Sequence, residues 1–253
     1  MNERSLERIM QAAPAALLDI LKHPGIWRGD GYSQASQPVV DCGHLGLAGV
    51  LPGGGWPQAA VSEIIPSRAG CGELRLLLPA LAKLTQAGKQ VLLIAPPHIP
   101  YAPAWQAAGV DMRHLTWVAT ESEHDAQWAM EQALREPACA AVVGWFRQPL
   151  SDRNCRRLQL AAETGGGSGF VLREGRAEAL SSPFALRLAV ESVAGGVAVR
   201  VVKRRGSPDT RPVFLPHDAP RRTQSGYHHA VASAAPAQSA ARRAASRHYA
   251  HAA

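Results

Sequence analysis

The 253-residue sequence predicts an α/β fold: a mostly parallel central sheet, helices on both faces, and an antiparallel hairpin extension toward the C-terminus. Three observations predict it. Short apolar runs alternate with stretches of helical spacing from Val61 to Arg173, the pattern of crossover connections between parallel strands. The run Cys139-Ala140-Ala141-Val142-Val143 is apolar at every position, as a strand covered on both faces must be. From Leu186 the pattern changes to two alternating runs joined by Ala194-Gly195-Gly196, which is hairpin chemistry.

In chain order, residues 3–23 place Leu6, Ile9, Met10, Leu17, Leu18 and Leu21 at helical spacing, interrupted by Pro14 and ended by His23-Pro24-Gly25. Arg28–Pro38 is polar and glycine-rich with no core face. Residues 1–38 are therefore expected to be a helical segment and a flexible arm, with Leu17, Leu18 and Leu21 available to a partner. Globular patterning fills 39–216. Val61–Ile65 is the first buried strand. After a glycine-bearing loop, leucines at 74, 77, 78, 81 and 84 form a core-facing stripe. Pro79 lies within that stripe, and an interior proline costs about 3 kcal/mol, so the helix should start late or kink there.

Gly88 ends that helix and Val91–Ile94 is the second strand. A short helix follows over Ala102–Ala108, then the strand Leu115–Val118 and an amphipathic helix Glu121–Arg135 carrying Trp128 and Leu134. The fourth strand is 139–143. Ser151 is an N-cap for the helix Asp152–Glu163, and Phe170–Arg173 is the fifth strand. Leu186–Val190 and Val197–Val202 form the hairpin, and Val213–Leu215 is the last strand. Residues 217–253 hold Ala, Ser, Arg and His with almost no large apolar side chain, so a disordered basic tail is expected.

The net charge of +7 favours an anionic partner, but it is unevenly placed. From His217 onward five arginines face one aspartate, so more than half the excess sits in the tail. Cys42, Cys71, Cys139 and Cys155 show no CxxC spacing, which points to reduced structural thiols. An apolar run of about 18 residues and a charged-apolar-small leader are both missing, so a cytoplasmic protein with no membrane contact is expected.

The stretch Val50–Leu84 carries the most chemistry. Turn, buried strand, glycine loop and helix are the frame with which P-loop proteins hold phosphate. Here that tetrapeptide is Cys71-Gly72-Glu73-Leu74, preceded by Gly70. Glu73 stands at the lysine position and Leu74 at the hydroxyl position. A carboxylate there repels a triphosphate and suits the helix dipole instead.

The turn Leu51-Pro52-Gly53-Gly54-Gly55-Trp56-Pro57 leading into Ser62-Glu63-Ile64, the Gly109-Val110-Asp111 turn, and Ala141-Val142-Val143 ending in Gly144-Trp145 resemble the RecA-fold family. So does the segment from Ser182-Pro183-Phe184 through Val199-Arg200-Val201-Val202-Lys203. The resemblance covers about 39–216 and lies with the degenerate branch that holds ImuA and SulA, proteins of the bacterial SOS DNA-damage response. Gly144-Trp145 and Gly169–Arg173 look like SulA, while the front turn and rear hairpin fit ImuA better. The resemblance thus implies a RecA-like core with a degenerate Walker A loop.

Placed on that family, three parts of the hydrolytic site are missing. Glu73 replaces the lysine, Gly144 stands where the Mg²⁺-holding acid ends the fourth strand, and Pro97 holds the place of the water-activating glutamate. No enzyme activity, cofactor, metal or small-molecule substrate is expected. The ImuA likeness implies an accessory of translesion synthesis that assembles with an ImuB-type Y-family polymerase homologue and an error-prone replicative-type polymerase, with RecA a further partner. Two alternatives stay open: SulA-like inhibition of cell division by capture of the tubulin-like FtsZ, and a residual nucleotide-binding ATPase. Trp145, Phe146 and Arg147 follow a central strand and are partner anchors by position, or else cap the core. Arg173, Arg176, Lys203, Arg204 and Arg205 are the candidates for weak contact with DNA.

Overall fold

A computed structural model of the chain describes residues 38–173, 175, 182–204 and 211–217. The expected N-terminal helix with Leu17, Leu18 and Leu21, the tail from 218 onward, and the residues Arg176 and Arg205 lie outside them. Strands β1 (Val39–Asp41) and β2 (Gly55–Pro57) pair antiparallel as a small separate sheet. Between them lie helix α1 (Leu45–Ala48) and a 3₁₀ turn over Pro52–Gly54. The sequence reading took Leu51–Pro57 for a simple turn and missed this sheet, because its strands are only three residues long.

The main sheet uses β3 (Ala60–Pro66), β4 (Gln90–Ile94), β5 (Leu115–Val118), β6 (Cys139–Trp145), β7 (Ser168–Leu172), β8 (Leu186–Val193), β9 (Gly196–Lys203) and β10 (Val213–Pro216). Their order across the sheet is β10-β9-β8-β3-β7-β6-β4-β5. Every pairing from β8 to β5 through β3 is parallel, and β8-β9 and β9-β10 are antiparallel. The expected mixed sheet with a C-terminal hairpin extension is what forms.

Helices cover both faces. On one, α2 (Glu73–Gln86) and α3 (Ala102–Ala107) bury Leu76, Leu77, Leu81 and Trp105 over Ile64, Leu93, Val143 and Phe170. On the other, α4 (Glu123–Arg135) and α5 (Asp152–Gly165) bury Met130, Leu134, Cys155 and Leu158 over Val61, Val142 and Val171. Ser122 accepts the Asp125 N–H and Ser151 accepts the Asn154 N–H, capping α4 and α5. The buried stripe of α4 is Ala126, Met130, Ala133 and Leu134, and Trp128 falls off it, 59% exposed.

Helix α2 does not start late; it begins at Glu73 and continues through Pro79 to Gln86. The compensation comes from outside the helix. Pro79 has no N–H to give the Arg75 carbonyl four residues back. His44 supplies the donor, with Nε2 3.0 Å from Arg75 O, which requires the proton on Nε2. Gly43 brings His44 there. Its φ of 72° is left-handed, and a Cβ at this position would lie 2.3 Å from Pro79 Cβ. The β1–α1 connection is thus built onto the proline.

Replacing Gly43 with Ala should cost about 1–3 kcal/mol through overpacking and backbone strain. His44→Ala should cost about 0.5–1.5 kcal/mol, and that cost should largely vanish in a Pro79→Ala background, where the restored N–H satisfies Arg75. A urea-unfolding double-mutant cycle reads both. Equal His44→Ala costs in the two backgrounds would refute the compensation.

Candidate interaction surface

Strands β3 to β7 run parallel, so their C-terminal ends share one edge, where open α/β sheets place ligands. The loop from Ser67 to Gly72 joins β3 to α2 at this edge. Gly70 and Gly72 are left-handed, with φ of 69° and 101°. The Glu73 side chain turns back, and its Oε1 accepts the Gly70 N–H at 3.2 Å. Its Oε2 is buried without a hydrogen-bond partner, held at the positive end of α2. This loop amide is satisfied by the chain's own carboxylate.

Gly144 is confined by packing. A Cβ there would meet Met130 Sδ at 2.7 Å and the Phe146 ring at 2.9 Å, so no carboxylate side chain fits beneath α4. All four cysteines are free and buried. Burial raises each thiol pKa, that of Cys155 to about 11, which leaves none of them poised as a nucleophile. No cluster of metal-ligating side chains occurs among the described residues, and no helix there is long and apolar enough to cross a membrane.

The structure places the expected binding residues differently. Phe146 is 3% exposed and packs into the layer under α4 and α5, so it anchors the core and no partner. Trp145 is half-buried against the opposite core cluster. Arg147 is exposed, its backbone N–H held by Glu123 Oε1 at 2.9 Å. Arg173 is fully buried and pairs with Glu63, which removes it from any nucleic-acid face. Lys203 Nζ donates to Ser182 O at 3.2 Å, and Arg204 Nη1 donates to Val50 O at 2.6 Å. Both cations tie the hairpin to the body of the protein.

Arg173 belongs to a buried triad. Glu63 on β3 accepts from Arg173, just after β7, and from Arg187 Nε on β8 at 2.6 Å. Three adjacent strands are joined by one carboxylate.

The side chains that do face solvent at this edge are others. Ile99 and Tyr101, in the connection leaving β4, are 76% and 70% exposed, and Trp117 on neighbouring β5 is 44% exposed. Arg68, after β3, and Arg147, after β6, are exposed on the same edge. The sequence held a signal for the first pair. Pro96 to Pro100 brackets Ile99 in a run with neither helical nor strand period to bury it, and Tyr101 follows directly.

This β3–β7 unit contains a segment that matches known proteins. Residues 59–169 match the family described as cell division inhibitor SulA. Residues 59–169 are SulA-like. The cell division inhibitor SulA of Salmonella dublin is 29% identical over 106 residues, covering 42% of this chain and 63% of the relative. That of Edwardsiella piscicida is 32% identical over 110 residues, covering 43% and 65%. The chain thus spans less than two thirds of the length of these relatives. The crystal structure of SulA from Pseudomonas aeruginosa shares 29% identity, covering 46% of this chain and 99% of that one, with a TM-score of 0.40.

These matches overturn the expectation of an ImuA-type accessory of translesion synthesis with polymerase partners. The matched family and the relatives are cell division inhibitors. The matched range 59–169 holds Gly144-Trp145 and excludes the front turn and rear hairpin that favoured ImuA.

The triad yields a stability test. Glu63→Ala removes the carboxylate that buried Arg173 and Arg187 share and should cost about 3–5 kcal/mol in denaturant unfolding. A loss below about 1 kcal/mol would show that the arginines find other partners and that Glu63 is dispensable.

Proposed function

We propose that this chain is a non-catalytic inhibitor of cell division in the SOS response, acting by capture of the tubulin-like FtsZ. The observation that carries this reading is the match of residues 59–169, the unit that builds the shared C-terminal edge, to the SulA family. Its physical means is that edge. Ile99 and Tyr101 offer apolar and aromatic area, with Arg68 and Arg147 on the same edge as cations, the residue types that dominate protein interfaces.

Action without catalysis is supported by the state of the glycine loop. A phosphate would compete with the Glu73 carboxylate for the Gly70 amide, and like charges at that separation repel strongly. We take the frame to be RecA-type, with the strand, loop and helix kept and the phosphate chemistry gone. The mostly parallel sheet and its antiparallel extension support that descent.

High-level expression in a bacterial host should produce filamentous cells. The pair Ile99→Asp and Tyr101→Asp should weaken FtsZ binding at least tenfold, or about 1.4 kcal/mol, without changing thermal unfolding. Normal division at high expression of the unaltered protein would remove the reading. Calorimetry should detect no heat with millimolar ATP, and Glu73→Lys should hydrolyse none, because Gly144 and Pro97 remain.

A further inference from the structure

Two residues one turn apart on α4 invert the usual division between core and surface. Trp128 is a large apolar side chain in solvent, and Glu131 is a carboxylate whose side chain is only 6% exposed. Both line a cavity of about 140 Å³ between α4 and α5, together with Gln127 on α4 and Asn154, Arg157 and Leu158 on α5. Two polar bridges cross between the helices there. Arg157 donates through Nη2 to Glu131 Oε2, and Asn154 Nδ2 donates to Gln127 Oε1 at 2.5 Å.

The unspent hydrogen-bonding capacity of this cavity is mostly donor. Arg135 donates to Glu131 Oε1 at 2.6 Å from the same helix, so each carboxylate oxygen already holds a guanidinium. One negative charge thus faces two positive ones, and a further cation finds no free carboxylate. Arg157 carries five N–H groups, spends one on Glu131, and has a side chain 49% exposed. Gln127 uses its carbonyl on Asn154, which leaves its NH₂ group as a donor as well. Glu131 is therefore a positioning residue that fixes a surplus guanidinium in the same cavity as an indole.

We propose that this cavity binds a small aromatic carboxylate, with its ring against the Trp128 indole and its carboxylate on the Arg157 guanidinium. Size limits the ligand to a single ring. A cavity of about 150 Å³ accommodates benzene, so a nucleotide is too large. Charge sets the sign, since the free groups are donors on a net cationic cluster. Shape sets the anion: a planar carboxylate matches the guanidinium fork, whose parallel N–H groups take both oxygens. Trp128 and Leu158 supply the apolar lining that an aromatic ring requires.

The test titrates para-fluorobenzoate into the full chain and follows it by fluorine NMR. A dissociation constant of about 1 mM or tighter is expected. Para-fluorobenzamide has the same shape without the charge and should bind at least tenfold more weakly, and para-fluorobenzylamine more weakly still. Trp128→Ala and Arg157→Gln should each weaken para-fluorobenzoate at least tenfold, the first with thermal unfolding unchanged. Arg156→Gln removes the same charge from the adjacent exposed position, outside the cavity lining, and should leave binding as it was. Absence of binding at millimolar ligand overturns the proposal, as does equal affinity for the amide or a preference for the amine. A loss with Arg156→Gln that matches the loss with Arg157→Gln is general charge attraction and overturns it too. If Arg157→Gln unfolds the chain, Trp128→Ala decides alone. The titration contains no FtsZ: a failed ligand leaves the Ile99 and Tyr101 result standing, and the reverse also holds.

Discussion

One buried carboxylate holds together two parts of this molecule, the SulA-like unit and the antiparallel extension. Glu63 sits on β3, the strand shared by the SulA-like unit and the antiparallel extension. Arg173 reaches it from the end of β7, and Arg187 reaches it from the first strand of the extension. Both arginines lie beyond the matched residues 59–169, while Glu63 lies within them. A buried charge without a partner is among the costliest features a core can contain, so each member obliges the other two to stay. The triad therefore ties β8 and the end of β7 to β3 through one carboxylate.

The glycine loop next to it shows the same economy of charge. A helix N-terminus in a left-handed glycine turn attracts an anion. Here the chain provides the anion itself through Glu73, bonded to the Gly70 amide. With Gly144 closed by Met130 and Phe146, the edge offers neither pole of a phosphate and metal site. Ile99 and Tyr101 are exposed there beside the cations Arg68 and Arg147, a mixture that suits recognition of a protein surface.

How far the sequence exposed this depends on how local each cause is. The strands β3 to β9 and helices α4 and α5 were legible because their apolar spacing and serine caps act within a few residues. The continuity of α2 was not, since its donor at Pro79 comes from His44, 31 positions before Arg75. Phe146 and Arg173 looked available because each follows a strand at the sheet edge. Their burial depends on α4, α5 and Glu63, which only the tertiary fold brings to them. Trp128 was placed on an amphipathic helix without a face, and the stripe through Ala126, Met130 and Leu134 leaves it outside the core. Glu73, in contrast, was legible at once as a carboxylate for the first turn of a helix, because the helix dipole acts on it locally.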